Sequence, residues 1–277
     1  MTDVSMEAND SRFEFGANWR SFLSVLDDDR IAVAERSVQD LLGLDSLAGL
    51  SFLDVGCGSG LFSLAAMRLG AARVHSLDYD PQSVACAATL RERYFPDAAN
   101  WTTARGDALD VAGLAALGQW DVVYSWGVLH HTGDMWTALG NVIEVVKPSG
   151  LLAISIYNDQ RSRSHFWRRV KRLYNQGALQ RWLVMAVFIP YFVVRSAIVD
   201  LLRGQNPFAQ YRDYRKRRGM SRVHDWLDWL GGYPFEVARP EEIFNFYRRR
   251  GFALREMTTV GGSLGCNQFV FVRKETP

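Results

Sequence analysis

The chain has 277 residues, 48% of them hydrophobic and 22% charged, with a formal net charge of +2. That length and apolar share suffice for one α/β domain with a large insertion, with no need of disulfides or metal to complete a core. The near-balanced charge argues against a polyanion partner on charge alone. Three scattered cysteines (Cys57, Cys86, Cys266), with no CxxC pair and no His cluster at zinc spacing, argue against a disulfide framework and against a metal site.

The start, MTDVSMEAND, is polar and acidic without an apolar h-region, so a cytoplasmic protein without a secretory signal is expected. Residues 1–50 read as an N-terminal helical cap segment. Within it FEFGANWRSFL (13–23) gathers aromatics around Gly16 and Asn18, as an amphipathic helix packed on the following domain would. SFLDV (51–55) is a buried strand, followed by the turn GCGSG and a helix over LFSLAAMRLG that ends at Gly70. RVHSL (73–77) is a second strand ending in Asp78, and Pro81 opens the helix PQSVACAATLRERY. WTTAR (101–105) and WDVVYS (120–125) are the third and fourth strands. A helix over Met135–Val146 is stopped by Pro148-Ser-Gly, and LLAISIY (151–157) is the fifth strand. Strands alternating with helices imply βαβ units, a parallel doubly wound sheet, and ligands at the carboxyl ends of its strands.

Residues 158–238 break this pattern as a helical insertion, a candidate substrate lid. It carries RSRSHFWRRVKRLY, the apolar run WLVMAVFIPYFVV (182–194), the basic stretch YRDYRKRR and the segment HDWLDWLGGYPFE. Extended to Leu202 the apolar run approaches a membrane span in length, but it contains Pro190, Arg195 and Asp200. A crossing there would also separate the last two strands from their sheet. A buried or lid helix is therefore the leading expectation, and a helix lying on a membrane surface beside a lipid-like substrate the second. Residues 239–277 return to the sheet domain: Pro240-Glu-Glu opens a helix closed by Gly251, and FALREMTTV and CNQFVFVR form an antiparallel pair.

The turn Asp54-Val-Gly56-Cys57-Gly58-Ser59-Gly60 lets the backbone pass close to a ligand, and the next helix presents its N-terminal N–H groups. Asp78, about twenty residues on, ends the second strand where an acid accepts ribose hydroxyls. A dinucleotide fingerprint GxGxxG would need glycine where Leu61 stands. LDVGCGSG, DYD, GDALD and SWGVLHHTGD followed by VKPSGLLAIS together resemble the class I S-adenosylmethionine-dependent methyltransferases, particularly the ubiquinone-biosynthesis-type small-molecule enzymes.

The resemblance covers 51–157 plus the C-terminal helix and strand pair, joined here as one Rossmann-like domain, 51–157 with 239–277. It implies a mostly parallel seven-stranded sheet with an antiparallel last strand and S-adenosyl-L-methionine as cofactor. It implies that Gly56, Gly58 and Gly60 floor the methionine part, with Cys57 and Ser59 contributing backbone and Asp54 hydrogen bonds. Asp78 would hold the ribose, Tyr79 pack beside the adenine, Asp107 accept its amino group and Ala108 offer a backbone N–H, while Ser125 and Trp126 line the cofactor. Asn18 or Trp19 would reach the cofactor carboxylate if 13–23 folds over the site. No thiol chemistry is assigned to Cys57, and Cys86 reads as core.

An activated sulfonium needs alignment and dryness more than a base, unless the acceptor carries a proton that must leave. His131 is the leading candidate base by resemblance to relatives with Leu-x-His here. His130 is the lesser one, and loop structure is the alternative role for both. His224, with Asp228 at i,i+4 and Trp226 and Trp229 beside them, is a rival dyad in the insertion, against a plain lid helix. Tyr157, Asn158 and Asp159 follow the fifth strand as candidate substrate contacts. The basic tracts RRVKR (168–172) and RDYRKRR (212–218), interleaved with aromatics, raise an RNA partner, which acids elsewhere and the absence of an appended RNA module disfavour. The expectation is therefore methyl transfer to a small, apolar or aromatic acceptor at oxygen or carbon, without metal and with membrane contact as an added option. The alternatives are an RNA methyltransferase and a non-catalytic cofactor-binding scaffold; a dehydrogenase ranks last.

Overall fold

Short runs rich in β-branched and aromatic residues, each bounded by glycine, proline or aspartate, make seven strands of a single sheet. The computed structural model describes residues 16–206 and 222–275, and elements are numbered in chain order within them. The strands are β1 (Ser51–Val55), β2 (Arg73–Asp78), β3 (Trp101–Arg105), β4 (Trp120–Trp126), β5 (Val146–Tyr157), β6 (Phe252–Thr258) and β7 (Cys266–Arg273), in the order β3-β2-β1-β4-β5-β7-β6. β1 to β5 pair in parallel, and β7 is antiparallel to both β5 and β6, so six strands run one way and β7 the other. Strand order reverses between β1 and β4, which places the ligand crevice at the carboxyl ends of those strands.

The helices of this unit are α1 (Gly16–Leu23), α2 (Asp28–Leu42), α3 (Leu61–Arg68), α4 (Pro81–Tyr94), α5 (Val111–Ala116), α6 (Met135–Asn141) and α10 (Pro240–Arg248). Asp27, Asp80, Asp110 and Asp134 stand at the N-caps of α2, α4, α5 and α6, each accepting a backbone N–H of the first turn. One core forms where Leu53, Val123, Leu152 and Phe271 of the sheet meet Leu139 of α6 and Ile243 and Tyr247 of α10. The Tyr247 hydroxyl, buried there, donates to Leu139 O at 3.0 Å.

Two expected boundaries are corrected. The helix expected through Val146 ends at Asn141, because Val146 already pairs with Trp120 as the first residue of β5. Pro148-Ser149-Gly150 is then not a strand-preceding stop but an irregularity inside β5, where the partner register jumps from Trp120 to Val122 and Ser149 takes φ 61°.

Contacts divide the described residues into two units: 16–161 with 236–275, and 162–206 with 222–235. Residues 158–161 and 236–238, grouped with the insertion on sequence grounds, go with the sheet: Asn158 bridges Ala238, and Asp159 N–H donates to Ala238 O. The second unit contains α7 (Ser162–Tyr174), α8 (Ala178–Leu202) and α9 (Arg222–Gly231). Trp167, Val170 and Tyr174 of α7, Val184, Phe188 and Phe192 of α8, and Trp229 and Leu230 of α9 form its core. The long apolar run is helical as expected but not buried: only Val184 and Asp200 of α8 are closed to solvent, since α7 and α9 cover one face alone. The tract RDYRKRR (212–218) lies outside the described residues, as do the side chains of His224 and Asp228, and with them the proposed dyad.

Candidate functional site

β1 ends at Val55 and the chain turns through Gly56–Gly60 into α3. Gly56 N–H and Cys57 N–H both donate to Leu77 O, at 2.7 and 3.0 Å, which holds the loop against the end of β2. Gly58 adopts φ 53° and donates its N–H to Asp78 Oδ2 at 2.9 Å. A Cβ at Gly58 would lie 2.9 Å from the Trp19 indole of α1, so the helix read from 13–23 does pack on the domain and sets Trp19 over the glycine loop. The side chain of Asn18 lies outside the described residues. At Gly60, φ 81°, a Cβ would come 2.7 Å from the Ala87 Cα of α4, a backbone atom that cannot move aside. Leu61 follows as the first residue of α3, in place of a third dinucleotide glycine.

Asp54 and Asp78 supply the charge around this loop. Asp54 is buried, its Oδ2 taking the Ser63 hydroxyl at 2.7 Å. Ser63 Oγ in turn accepts from Ser76 Oγ at 2.7 Å, which accepts from Trp101 Nε1 at 2.9 Å. Because an indole only donates, the relay has one direction and ends on the carboxylate. Burial pushes the Asp54 carboxyl up to about 7, against the Ser63 hydrogen bond and with the help of the Asp78 charge. Asp78 accepts from Gly58 N through Oδ2 and from Asp80 N through Oδ1, both at 2.9 Å, and burial still lifts it to about 6. Burial pushes the Cys57 thiol well up, with Asp54 and Asp78 adding to it, so this cysteine stays protonated and serves through its backbone. Ser59 is buried in the same loop.

The structure brings the other sequence-selected residues to the same edge with unequal freedom. Tyr79 lies half-buried beneath the Arg105 guanidinium, 5.3 Å from its ring centre. Asp107 Oδ1 accepts from Leu109 N at 2.9 Å, and Ala108, buried, gives its carbonyl to Asn141 Nδ2 at 3.0 Å. Ser125 differs from its expected place along a ligand: it is fully buried and its hydroxyl donates to Val55 O at 2.8 Å, tying β4 to the last residue of β1. Trp126 stacks on Tyr124 at 5.8 Å and borders a groove with Arg36 and Asp40 of α2 and Met257 and Gln268 of β6 and β7.

His130 and His131 sit in a 3-10 turn, Leu129–His131, just past β4. His130 is fully buried, its ring 4.1 Å from Tyr157 and 4.5 Å from His131; His131 is half-buried, with its ring perpendicular to Tyr157 at 5.6 Å. Both rings thus pack on Tyr157 and on each other, with His131 the one partly open to solvent. Glu236 fixes the segment: its carboxylate accepts from Gly133 N at 3.0 Å and Met135 N at 3.1 Å, while its own N–H donates to His130 O at 3.0 Å. Neither Glu236 nor the Ser63–Ser76–Trp101 relay was found from the sequence. Asn158, a candidate substrate contact, is instead buried: its Nδ2 donates to Gly261 O at 2.7 Å and its Oδ1 accepts from Asn267 Nδ2 at 3.1 Å, which secures the β6–β7 loop. Among the described residues no group of three or more His, Cys, Asp or Glu gathers to hold a metal.

Residues 53–152 match the family model for a methyltransferase domain. The ubiquinone biosynthesis O-methyltransferase of Rhodopseudomonas palustris (strain BisA53) is 32% identical over 117 residues, 42% of this chain and 43% of the relative. That of Parvibaculum lavamentivorans is 34% identical over 146 residues, 50% of this chain and 54% of the relative. The ribosomal protein L11 methyltransferase of Xanthomonas campestris pv. campestris is 47% identical over 62 residues, 22% of this chain and 20% of the relative. The chain therefore spans about half or less of the length of these curated relatives. Among solved structures, magnesium protoporphyrin IX methyltransferase from Synechocystis PCC 6803, with bound SAH, superposes at TM-score 0.52 with 14% identity, covering 88% of this chain and 84% of its own. An O-methyltransferase family protein from Burkholderia thailandensis superposes at 0.54 with 14% identity, covering 90% and 59%. At these identities the likeness is one of fold.

Proposed function

We propose that this chain, a class I methyltransferase by domain and fold, transfers a methyl group from S-adenosylmethionine to a small apolar or aromatic acceptor, at oxygen or carbon. The observation that carries this reading is the pair of carboxylates, buried Asp54 and half-buried Asp78, flanking a glycine-rich loop at the β1–β4 switch point. Burial raises both carboxyls, and a cationic ligand seated beside them favours their ionised forms. The donor set fits S-adenosylmethionine: carboxylates for ribose hydroxyls and an amino group, loop amides, and an apolar wall at Ala108. When bound, that cofactor supplies an already activated methyl carbon, so alignment and exclusion of water are what the protein must add.

In this reading Asp78 and Asp107 hold the two ends of the nucleoside, Tyr79 flanks the base, and Gly56, Gly58 and Gly60 let the backbone approach the methionine part. Asp54, oriented by Ser63, keeps the loop at one electrostatic setting. Trp126 borders the acceptor side. His131 takes the acceptor's proton when there is one to take, steadied by the Tyr157 ring and by Glu236 through the loop. His130, enclosed, packs that loop. Likeness to two ubiquinone biosynthesis O-methyltransferases supports a small, ring-bearing acceptor. The enzyme acts in the cytoplasm without a metal, the helical insertion serves acceptor choice, and His224 is the alternative base. Incubation with S-adenosylmethionine and a panel of phenols and enols, quantifying S-adenosylhomocysteine, tests the reading. Stoichiometric product with one ring class supports it, and no product with any acceptor, despite cofactor binding, would leave a binding scaffold instead.

A further inference from the structure

Helix α8 carries an apolar face that no described residue of its own unit covers. Its 25 residues span roughly 37 Å, and successive residues turn by about 100°. Val184, Met185, Phe188, Ile189 and Phe192 fall on one side and pack against Trp167 of α7 and Trp229 of α9. The other side holds Leu179, Trp182, Leu183, Val187, Tyr191, Val194, Ile198 and Leu201, all exposed; Trp182 and Val187 are each 64% exposed and Leu201 65%. Arg181, Arg195 and Arg203 all project from the packed half, and Asp200 is buried, so about half of the circumference is free of exposed charge and, Gln180 aside, apolar over the helix length. A contiguous apolar face of this extent marks an interaction site.

We propose that this face docks in plane on an anionic lipid bilayer. Charge selects the partner: residues 162–206 carry seven exposed arginines and no exposed acid, with Lys171 and Asp200 both buried, and Arg163, Arg168, Arg169 and Arg172 belong to α7 beside α8. Basic side chains flanking an apolar helix face match lipid phosphates around an acyl boundary. Geometry selects lying over crossing. Although α8 passes as a span by length and composition, its charge-free run between Arg181 and Arg195 is only 13 residues, roughly 20 Å against about 30 Å of hydrocarbon. A crossing would also bury the face already committed to Trp167 and Trp229 together with Arg195. This inference stands independently of methyl transfer.

The test is flotation of the full chain with phosphatidylcholine vesicles, with and without phosphatidylglycerol. Binding that strengthens with phosphatidylglycerol, resists neither carbonate nor high salt together, and falls about tenfold or more in the triple variant Leu183→Asp, Val187→Asp, Val194→Asp supports in-plane docking. The three positions are exposed, so unchanged thermal melting and unchanged S-adenosylmethionine affinity by calorimetry confirm that the variant is folded. No binding to either vesicle, equal binding by the variant, or carbonate-resistant insertion overturns the proposal. So does light scattering that shows a dimer which the triple variant abolishes, since the face would then belong to a second copy. Loss of vesicle binding with cofactor affinity intact leaves the methyltransferase reading untouched, and the reverse holds as well.

Discussion

The Ser63 hydroxyl donates to Asp54 Oδ2 at 2.7 Å, the last step of a relay that begins at the Trp101 indole and passes through Ser76. All four side chains are buried, so the relay is closed to solvent from end to end. Ser63→Ala strands a carboxylate in a dry site and should lower unfolding free energy by about 1–3 kcal/mol in urea denaturation. An unchanged midpoint would mean that Asp54 is held by other groups.

The same carboxylates make stability depend on pH with an unusual sign. Burial lifts Asp54 to about 7 and Asp78 to about 6 from 3.8, so between those values the folded chain binds more protons than the unfolded one. Their contribution to stability is thus present at low pH and lost as pH rises from about 4 to 7. The melting temperature of Asp54→Asn minus that of the parent should grow between pH 5 and pH 7.5. A difference that shrinks over that range would contradict the assignment. Cofactor binding favours the ionised acids, so affinity for S-adenosylmethionine should increase over the same interval, with proton release seen as buffer-dependent heat.

Gly60→Ala would drive a Cβ to 2.7 Å from the Ala87 backbone and force φ 81° on an L-residue. A loss of about 1–3 kcal/mol is expected, together with weaker cofactor binding. Native-like stability in thermal melts would show that α4 can retreat.

Much of this was legible in the sequence. The strands β1, β4 and β5 announce themselves because their residues are largely apolar and buried on both faces of a covered parallel sheet, and the glycine loop and Asp78 fall at fixed places relative to strand ends. What stayed hidden depends on distant chain segments. Glu236 reaches Gly133 across 103 residues, and nothing in its neighbourhood marks it as a partner of the histidine loop. Ser125 read as a ligand contact because position alone does not say that its hydroxyl is taken by Val55 O. The exposure of α8 was equally invisible: an apolar run looks the same whether core or surface receives it.

Glu236→Ala removes both acceptors from the Gly133 and Met135 amides at the start of α6. It should cost about 1–2 kcal/mol and loosen the turn that carries His131. Turnover should fall with little change in cofactor affinity, as in His131→Ala. A variant that loses cofactor binding and keeps turnover per bound cofactor would reverse the assigned roles.

The central claim rests on Asp78 and the Gly58 amide it accepts. Calorimetric titration of the parent and of Asp78→Ala with S-adenosylmethionine, with NAD as control, tests it most directly. The account predicts saturable binding of S-adenosylmethionine by the parent, none of NAD, and a loss of about tenfold or more in the variant. Equal affinity in parent and variant, or binding of NAD in preference, would contradict it.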